Sequence, residues 1–290
     1  MIMLGIHVNK SSSTLYNAIL KAHTDFQINS AQIFVYGPQS MIPIKLDPKK
    51  LRTISTRQIP IKLVIHSSYP SISIWNISKH NISTKESQRQ IANILDQLII
   101  GMQIQAMGLV LHIAKYPAAS IAETMLLLKP LAKKTQVPIL LEMVSSKSSP
   151  NTYETPEKIN NLSKLIDNTT NTSWWGWCID TAHLWGAGID IRYYKQMAQW
   201  LNQIRYKDKI KLFHLNGSSV IRGSGKDKHE IVFSQYDKIW HNISPKKSGV
   251  YAIVKFAQKR QIPIICEIKR GTLNEIRKGL NILKSLLTTH

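Results

Sequence analysis

The sequence predicts a parallel (β/α)8 barrel of the TIM type, one domain over residues 1–290, with a metal site at its C-terminal mouth. Three observations predict it. Short β-rich runs alternate with amphipathic stretches about eight times along the chain, the order expected of a parallel sheet covered by helices. Six of the eight runs close on a residue type that binds metal. The length of 290 residues suits a fold that typically takes ~250 and builds its active site at the carboxyl ends of its strands. An open doubly wound sheet is the alternative arrangement of the same elements.

The elements follow in order. Met3–Val8 is the first strand; the MIMLGIHV that contains it lacks the charged region and longer apolar core of a signal peptide. Ala31–Val35 is the second. The other six are Lys62–His66 (KLVIH), Gly108–His112 (GLVLH), Pro138–Glu142 (PILLE), Trp177–Asp180 (WCID), Ile210–His214 (IKLFH) and Pro263–Glu267 (PIICE). Between them, Gln88–Met107 sets Ile91, Ile94, Leu95, Leu98, Ile99 and Met102 on one helical stripe. Ile121–Lys134, Pro156–Asp167, Arg192–Arg205, Ser248–Arg260 and Leu273–Leu287 continue the outer ring. Ser145–Thr155 reads as a mouth loop, and Trp174, Trp175 and Trp177 as packing at the barrel bottom.

Strand alternation makes a further demand. Val64, Val110, Leu140, Cys178, Leu212 and Ile265 each stand two residues before a strand-end ligand type. They therefore face inward with it and form an uncharged layer beneath a polar mouth.

Apolar residues make up 43% of the chain, enough for a packed core, and none of the apolar runs has membrane-spanning length. The two cysteines do not suggest a disulfide framework: Cys178 faces inward and Cys266 outward, so a reducing, intracellular compartment is expected. Lys and Arg number 38 against 17 Asp and Glu, a net charge of +21. Such a chain binds polyanions through counterion release, with affinity that falls as salt rises. A composition rich in Lys, Ile, Asn and Ser, as AT-rich coding produces, is the bland source of the same charge. Charge alone does not separate DNA from RNA or acidic lipid.

Three further ligand types lie beyond the strand ends. Asp180-Thr-Ala-His183 sets a carboxylate and an imidazole three apart, and Asp227-Lys-His229 follows Gly223-Ser-Gly225. The full set is five histidines (His66, His112, His183, His214, His229) and four carboxylates (Glu142, Asp180, Asp227, Glu267). Zinc takes such N and O ligands, usually about four. Nine exceed what one or two closed sites need and suit three ions with a shared carboxylate. Four facing carboxylates would repel one another, whereas three divalent cations would leave a positive pocket fit for a phosphate. Metals ~3.5–4 Å apart can hold the attacking and leaving oxygens of a phosphoryl displacement. Each piece alone is weak, since a strand-end histidine is more often a hydrogen-bonded core residue. His7 reads either as a donor behind the ligands or as plainly buried.

On these residues the chain resembles the endonuclease IV family of apurinic/apyrimidinic (AP) endonucleases. The resemblance rests on Gly5-Ile-His7-Val, Ala31-Gln-Ile-Phe34, His66-Ser-Ser-Tyr69, Leu111-His112, Leu141-Glu142, Cys178-Ile-Asp-Thr-Ala-His183, Phe213-His-Leu-Asn216, Gly223-Ser-Gly-Lys-Asp-Lys-His229 and Cys266-Glu267. Gly37-Pro38 and the Lys-Ser-Gly-Val-Tyr run ending at Tyr251 look like the branch carried by large DNA viruses.

The resemblance implies a trinuclear zinc site, with manganese as a substitute. His66, His112 and Glu142 would hold one ion; Glu142, Asp180, His214 and Glu267 the second; His183, Asp227 and His229 the third. Glu142, Asp180 and Glu267 are the expected catalytic carboxylates. The implied reaction is cleavage of the phosphodiester 5′ to an abasic site in double-stranded DNA, by a zinc-bound hydroxide and leaving a 3′-hydroxyl. Trimming of blocked 3′ ends, for base excision repair, goes with it. The chain departs from the family at Gln39, where an arginine often enters the DNA stack, and at Gly217, where Asp is usual.

An abasic nucleotide is cheap to extrude, and the gap is usually filled by apolar or aromatic side chains. Tyr69 is the first candidate and Tyr36 the next; Lys226 and Lys228 are candidates for phosphate contact. For each, packing or plain solvation is the alternative. A monomer without membrane contact is expected, working, if viral, in host cytoplasm, nucleus or virion. The rival function is a metal-dependent sugar isomerase or epimerase of the same barrel type. It would need only one or two metals and no +21 charge. A basic nucleic-acid-binding protein with a decayed site is the third class, and the intact ligand set argues against it.

Overall fold

The computed structural model describes residues 3–9, 14–56, 61–113, 115–146, 149, 151–167, 173–268 and 271–288. Eight parallel strands close into a barrel: β1 (Leu4–Val8), β2 (Ser30–Phe34), β3 (Lys62–His66), β4 (Leu109–His112), β5 (Ile139–Glu142), β6 (Trp175–Asp180), β7 (Ile210–His214) and β10 (Ile264–Cys266). A two-stranded antiparallel ribbon, β8 (Gly217–Ser218) with β9 (His229–Glu230), stands in the connection after β7. Closure runs through pairing of β1 with both β2 and β10, so the open sheet is excluded. All eight expected strands are present. β6 starts two residues early, at Trp175, and β10 ends at Cys266, leaving Glu267 one residue beyond it.

The helices are α1 (Leu15–Phe26), α2 (Pro48–Ser55), α3 (Lys85–Ile104), α4 (Ala118–Thr135), α5 (Pro156–Ile166), α6 (Thr181–Gly186), α7 (Tyr194–Gln203), α8 (Gly249–Arg260) and α9 (Leu273–Thr288). α1 and α2 were not expected from the sequence. α1 buries Leu15, Ile19, Ala22 and Phe26 and is capped by Thr14, whose Oγ1 accepts from Asn17 N at 3.3 Å. α2 opens with Pro48 behind the cap Asp47, whose Oδ1 accepts from Lys50 N at 3.0 Å. Both caps satisfy amides that a first turn leaves open.

Two apolar layers carry the packing. The larger lies between sheet and helices. The smaller fills the barrel and consists of Val64, Val110, Leu140, Cys178, Leu212 and Ile265, each at most 1% exposed. These are the six residues that strand alternation turns inward. Truncating a fully buried member such as Leu140 to alanine removes contacts worth ~2–5 kcal/mol. Cys178 lies in this inner layer and Cys266 in the outer one, both as free thiols. Trp174, Trp175 and Trp177 are buried as packing residues in the layer between sheet and helices, at and just before the start of β6. Trp177 Nε1 donates to Ser163 Oγ on α5 at 3.0 Å. Residues 147, 148 and 150 of the Ser145–Thr155 stretch lie outside the described residues; the rest of it has no helix or strand. Among the described residues no helix is long and apolar enough to cross a membrane.

Candidate metal centre

Parallel register brings the carboxyl ends of neighbouring strands level. His112 pairs with Glu142 across β4 and β5, and Asp180 with His214 across β6 and β7. His66, His112, Glu142, Asp180 and His214 therefore converge on one mouth, and Glu267 joins them from just past β10. Among the described residues three groups of histidine and carboxylate donors form, each with its ligand atoms within 4.8 Å of one another: His66, His112 and Glu142; Glu142, Asp180, His214 and Glu267; Asp180, His183 and His229; a fourth sets Cys178 with Glu142 and His214.

Glu142 is the pivot. Its side chain is fully buried, with Oε2 3.4 Å from His66 Nε2 and 3.1 Å from His112 Nε2. Its other oxygen, Oε1, is 3.0 Å from His214 Nδ1. One carboxylate thus faces two groups with opposite oxygens.

The imidazoles are oriented by what their second nitrogens meet. A carbonyl can only accept, so His66 Nδ1 donates to Ser67 O at 2.8 Å and His183 Nδ1 to Met143 O at 2.7 Å. Each ring then turns its Nε2 to the mouth, the orientation that metal-ligating histidines adopt. Asp180 caps α6: its Oδ1 accepts from His183 N at 2.9 Å, which fixes the imidazole three residues on.

The third group is completed by the ribbon. His229 pairs in register with Ser218, and its Nε2 is 2.7 Å from Asp227 Oδ1. Gly225, at a left-handed φ of 68°, donates from its N to Gly186 O at 2.8 Å and ties the loop to α6. Asp180 joins His183 and His229 in this group at 4.0 and 3.7 Å, but Asp227 is the nearer carboxylate, at 3.6 and 2.7 Å, with its side chain 37% exposed.

The electrostatics are those of a charged cluster packed dry. Burial opposes ionisation of Glu267, but His214 and His229 outweigh it and hold the carboxyl down to about 2. Burial likewise opposes the charge on Glu142, and His214 and His112 hold its carboxyl well below the usual range. His183 is pushed up to about 10, burial being overcome by Asp180 and Asp227. Glu142 Oε2 and both ring nitrogens of His229 are buried without a well-formed hydrogen bond. Imidazole and carboxylate atoms left in this state fit divalent cations of the zinc class. Cys178 reaches Glu142 and His214 from below, but burial pushes its thiol up, so it offers no thiolate at neutral pH.

The other expected residues fall out unevenly. Tyr69 is half-buried at the rim, its ring 6.0 Å from that of His66 and 5.7 Å from that of His112. Gln39, Lys226 and Lys228 are exposed. Lys228 lines a cavity of about 610 Å³ together with Asp227, His229 and Tyr236. His7 sits behind the ligands, its Nδ1 accepting from Gln32 Nε2 at 3.0 Å. Tyr36 is corrected: its ring is buried in the core and its hydroxyl donates to Asp96 Oδ2 on α3 at 2.5 Å, so it is a packing residue and not a gap-filling one.

Three residues were given no place in the site by the sequence. Gln32 and Asn216 are buried against the ligands; Asn216 Nδ2 donates to Asp180 Oδ2 at 2.8 Å and its Oδ1 accepts from Glu267 N at 2.7 Å. Asp237 explains Gly217. A Cβ on Gly217 would lie 2.7 to 2.9 Å from the Asp237 carboxyl group, so a larger residue there would displace that carboxyl from the amides it accepts from. That carboxylate, which accepts from the amides of Ser218, Phe233 and Ile239, holds the base of the ribbon.

A closed parallel barrel of this kind is a (β/α)8 fold, and residues 28–286 match the family model described as the xylose isomerase-like TIM barrel. A probable AP endonuclease of African swine fever virus is 31% identical over 274 residues, 90% of this chain and 88% of that protein. A probable endonuclease 4 of Mesomycoplasma hyopneumoniae is 29% identical over 241 residues, 79% of this chain and 82% of that one. The solved structure described as AsfvAP:AG superimposes with a TM-score of 0.83 at 28% identity, covering 99% of each chain. The chain belongs to the AP endonuclease family, whose members include endonuclease IV.

Proposed function

We propose that this protein is a zinc-dependent AP endonuclease. It hydrolyses the phosphodiester 5′ to abasic sites in double-stranded DNA, leaves a 3′-hydroxyl, trims blocked 3′ ends and serves base excision repair as a monomer. One observation carries the reading: three contiguous donor groups share Glu142 and Asp180, in a chain related to a protein named as an AP endonuclease.

His66, His112 and Glu142 would hold one ion; Glu142, Asp180, His214 and Glu267 a second; His183, His229 and Asp227 a third. Bound divalent ions supply Lewis-acid charge for an attacked phosphate and its leaving oxygen. The chain's own residues do the rest. Glu142, Asp180 and Glu267 set the spacing of that charge. Tyr69, above His66 and His112, stacks at the opening left by the missing base. Gln39 on the loop after β2 and the exposed Lys226 and Lys228 meet the backbone on either side. The net charge of +21 brings the duplex to the mouth.

Metal analysis of the purified protein beside incubation with a duplex carrying one abasic analogue tests this. About three zinc ions per chain and a single incision 5′ to the lesion are expected. Fully metallated protein that leaves the duplex intact would sink the proposal.

A further inference from the structure

Two barrel strands, β1 and β2, supply no donor to the three groups. Instead they hold His7 and Gln32, paired in register. Gln32 has no exposed surface, so its amide must find partners inside. Its Oε1 lies 2.7 Å from His214 Nε2, and its Nε2 lies 2.8 Å from Glu267 Oε1 and 3.0 Å from His7 Nδ1.

Glu267 decides which end of the amide is which. A carboxylate oxygen only accepts, so the Gln32 N–H must face it. Reversing the amide would set two oxygens against each other. With the N–H fixed there, Gln32 Oε1 can only accept from His214. His214 therefore carries a proton on Nε2, and its Nδ1, hydrogen-bonded to Glu142 Oε1 at 3.0 Å and lying 3.4 Å from Glu267 Oε2 and 3.7 Å from Asp180 Oδ2, is the nitrogen that would meet a cation.

We infer that Gln32 is the positioning residue of the central donor group, one amide fixing both the tautomer of His214 and the direction of Glu267 so that both present bare donor atoms to a single divalent cation. The inference rests on the metal-site reading above. It is also selective. The hydrogen bonds of Gln32 go to His214, Glu267 and His7, and none to His66, His112, His183 or His229.

The test uses zinc and cobalt alone, with no DNA. Nitrogen-15 spectra of the imidazoles in zinc-loaded wild type should place the His214 proton on Nε2. Finding it on Nδ1 would overturn the inference without any variant. Gln32→Met keeps the length and removes all three hydrogen bonds; Gln32→Glu keeps the acceptor for His214 but sets a like charge against Glu267. In competition titrations one metal-binding step should weaken about 10- to 100-fold in Gln32→Met, at least as much in Gln32→Glu, and the other steps should hold. Metal affinities equal to wild type in both variants, or equal losses at every step, would overturn it. Wild type that binds its metals and incises nothing would remove the proposed activity and leave the role of Gln32 standing.

Discussion

Two sets of donors reach the same mouth by different routes. His66, His112, Glu142, Asp180 and His214 ride on barrel strands, where pairing with a neighbouring strand fixes each position. His229 rides on a ribbon of two-residue strands and Asp227 on the loop leading into it, tied down by Gly225 and Gly186. Glu142 is fully buried, whereas the Asp227 side chain is 37% exposed. A strand-held donor is pre-oriented by the whole barrel, so little entropy remains to be lost on binding a cation. A ribbon-held donor depends on one loop and stays open to water, which screens its charge. The strand-held groups should bind tightly and the ribbon-held group should exchange first.

The largest effect expected is at the pivot. Glu142→Ala should lower incision by at least about 10³-fold, equivalent to ~4 kcal/mol of transition-state stabilisation, and should cost more than one metal per chain. A variant that loses a single ion would break the claim that Glu142 serves two groups. Asp227→Ala should lose only the ribbon-side ion, with incision reduced about 10- to 100-fold and recovered at high zinc. If added zinc restores Glu142→Ala equally well, the contrast between strand and ribbon fails.

Asp237 offers a smaller effect on the ribbon side. Burial pushes its carboxyl up to about 6, against the hydrogen bonds from the Ile239, Phe233 and Ser218 amides. The folded protein then keeps a proton that an unfolded chain releases near 3.8. That contribution to stability is complete below the unfolded value and is lost as pH rises through about 6. Asp237→Asn, which does not titrate, should therefore gain about 1–3 kcal/mol relative to wild type across that window. Denaturant melts of the pair should diverge with pH, and parallel curves would remove Asp237 as a buried, proton-retaining group. The smallest effect belongs to two bare isoleucines on mouth loops, Ile42 at 70% and Ile221 at 73% exposure. Serine at either should weaken abasic-duplex binding by no more than about tenfold, with metal content unchanged, as gel shifts and metal analysis would reveal.

Most of the strand-held set was legible because it needs only local information. A residue type, a period of two and a place at the end of an apolar run named His66, His112, Glu142 and His214, and the same period named the layer beneath them. Asp180-x-x-His183 and Asp227-x-His229 were legible as spacings, but nothing local puts Asp180 in the third group. Gln32 was hidden because its meaning lies in Glu267, 235 residues away. Tyr36 misled for the same reason, its partner Asp96 being 60 residues distant. Gly217 looked like a deficit until Asp237 was found in the space a side chain would need. α2 escaped because it is short and buries only Leu51, Ile54 and Ser55; α1 was there to read in Leu15, Ile19, Ala22 and Phe26, as were the Thr14 and Asp47-Pro48 starts.

The filled interior has a consequence for traffic. Val64, Val110, Leu140, Cys178, Leu212 and Ile265 plug the barrel directly below the ligands. The mouth is a cup with one door, not a tunnel. No strand can thread through it, and whatever docks there must back out along its path of entry. Turnover is then tied to how readily the rim lets go of its cargo, so a tighter rim would slow the cycle even while it strengthened the grip.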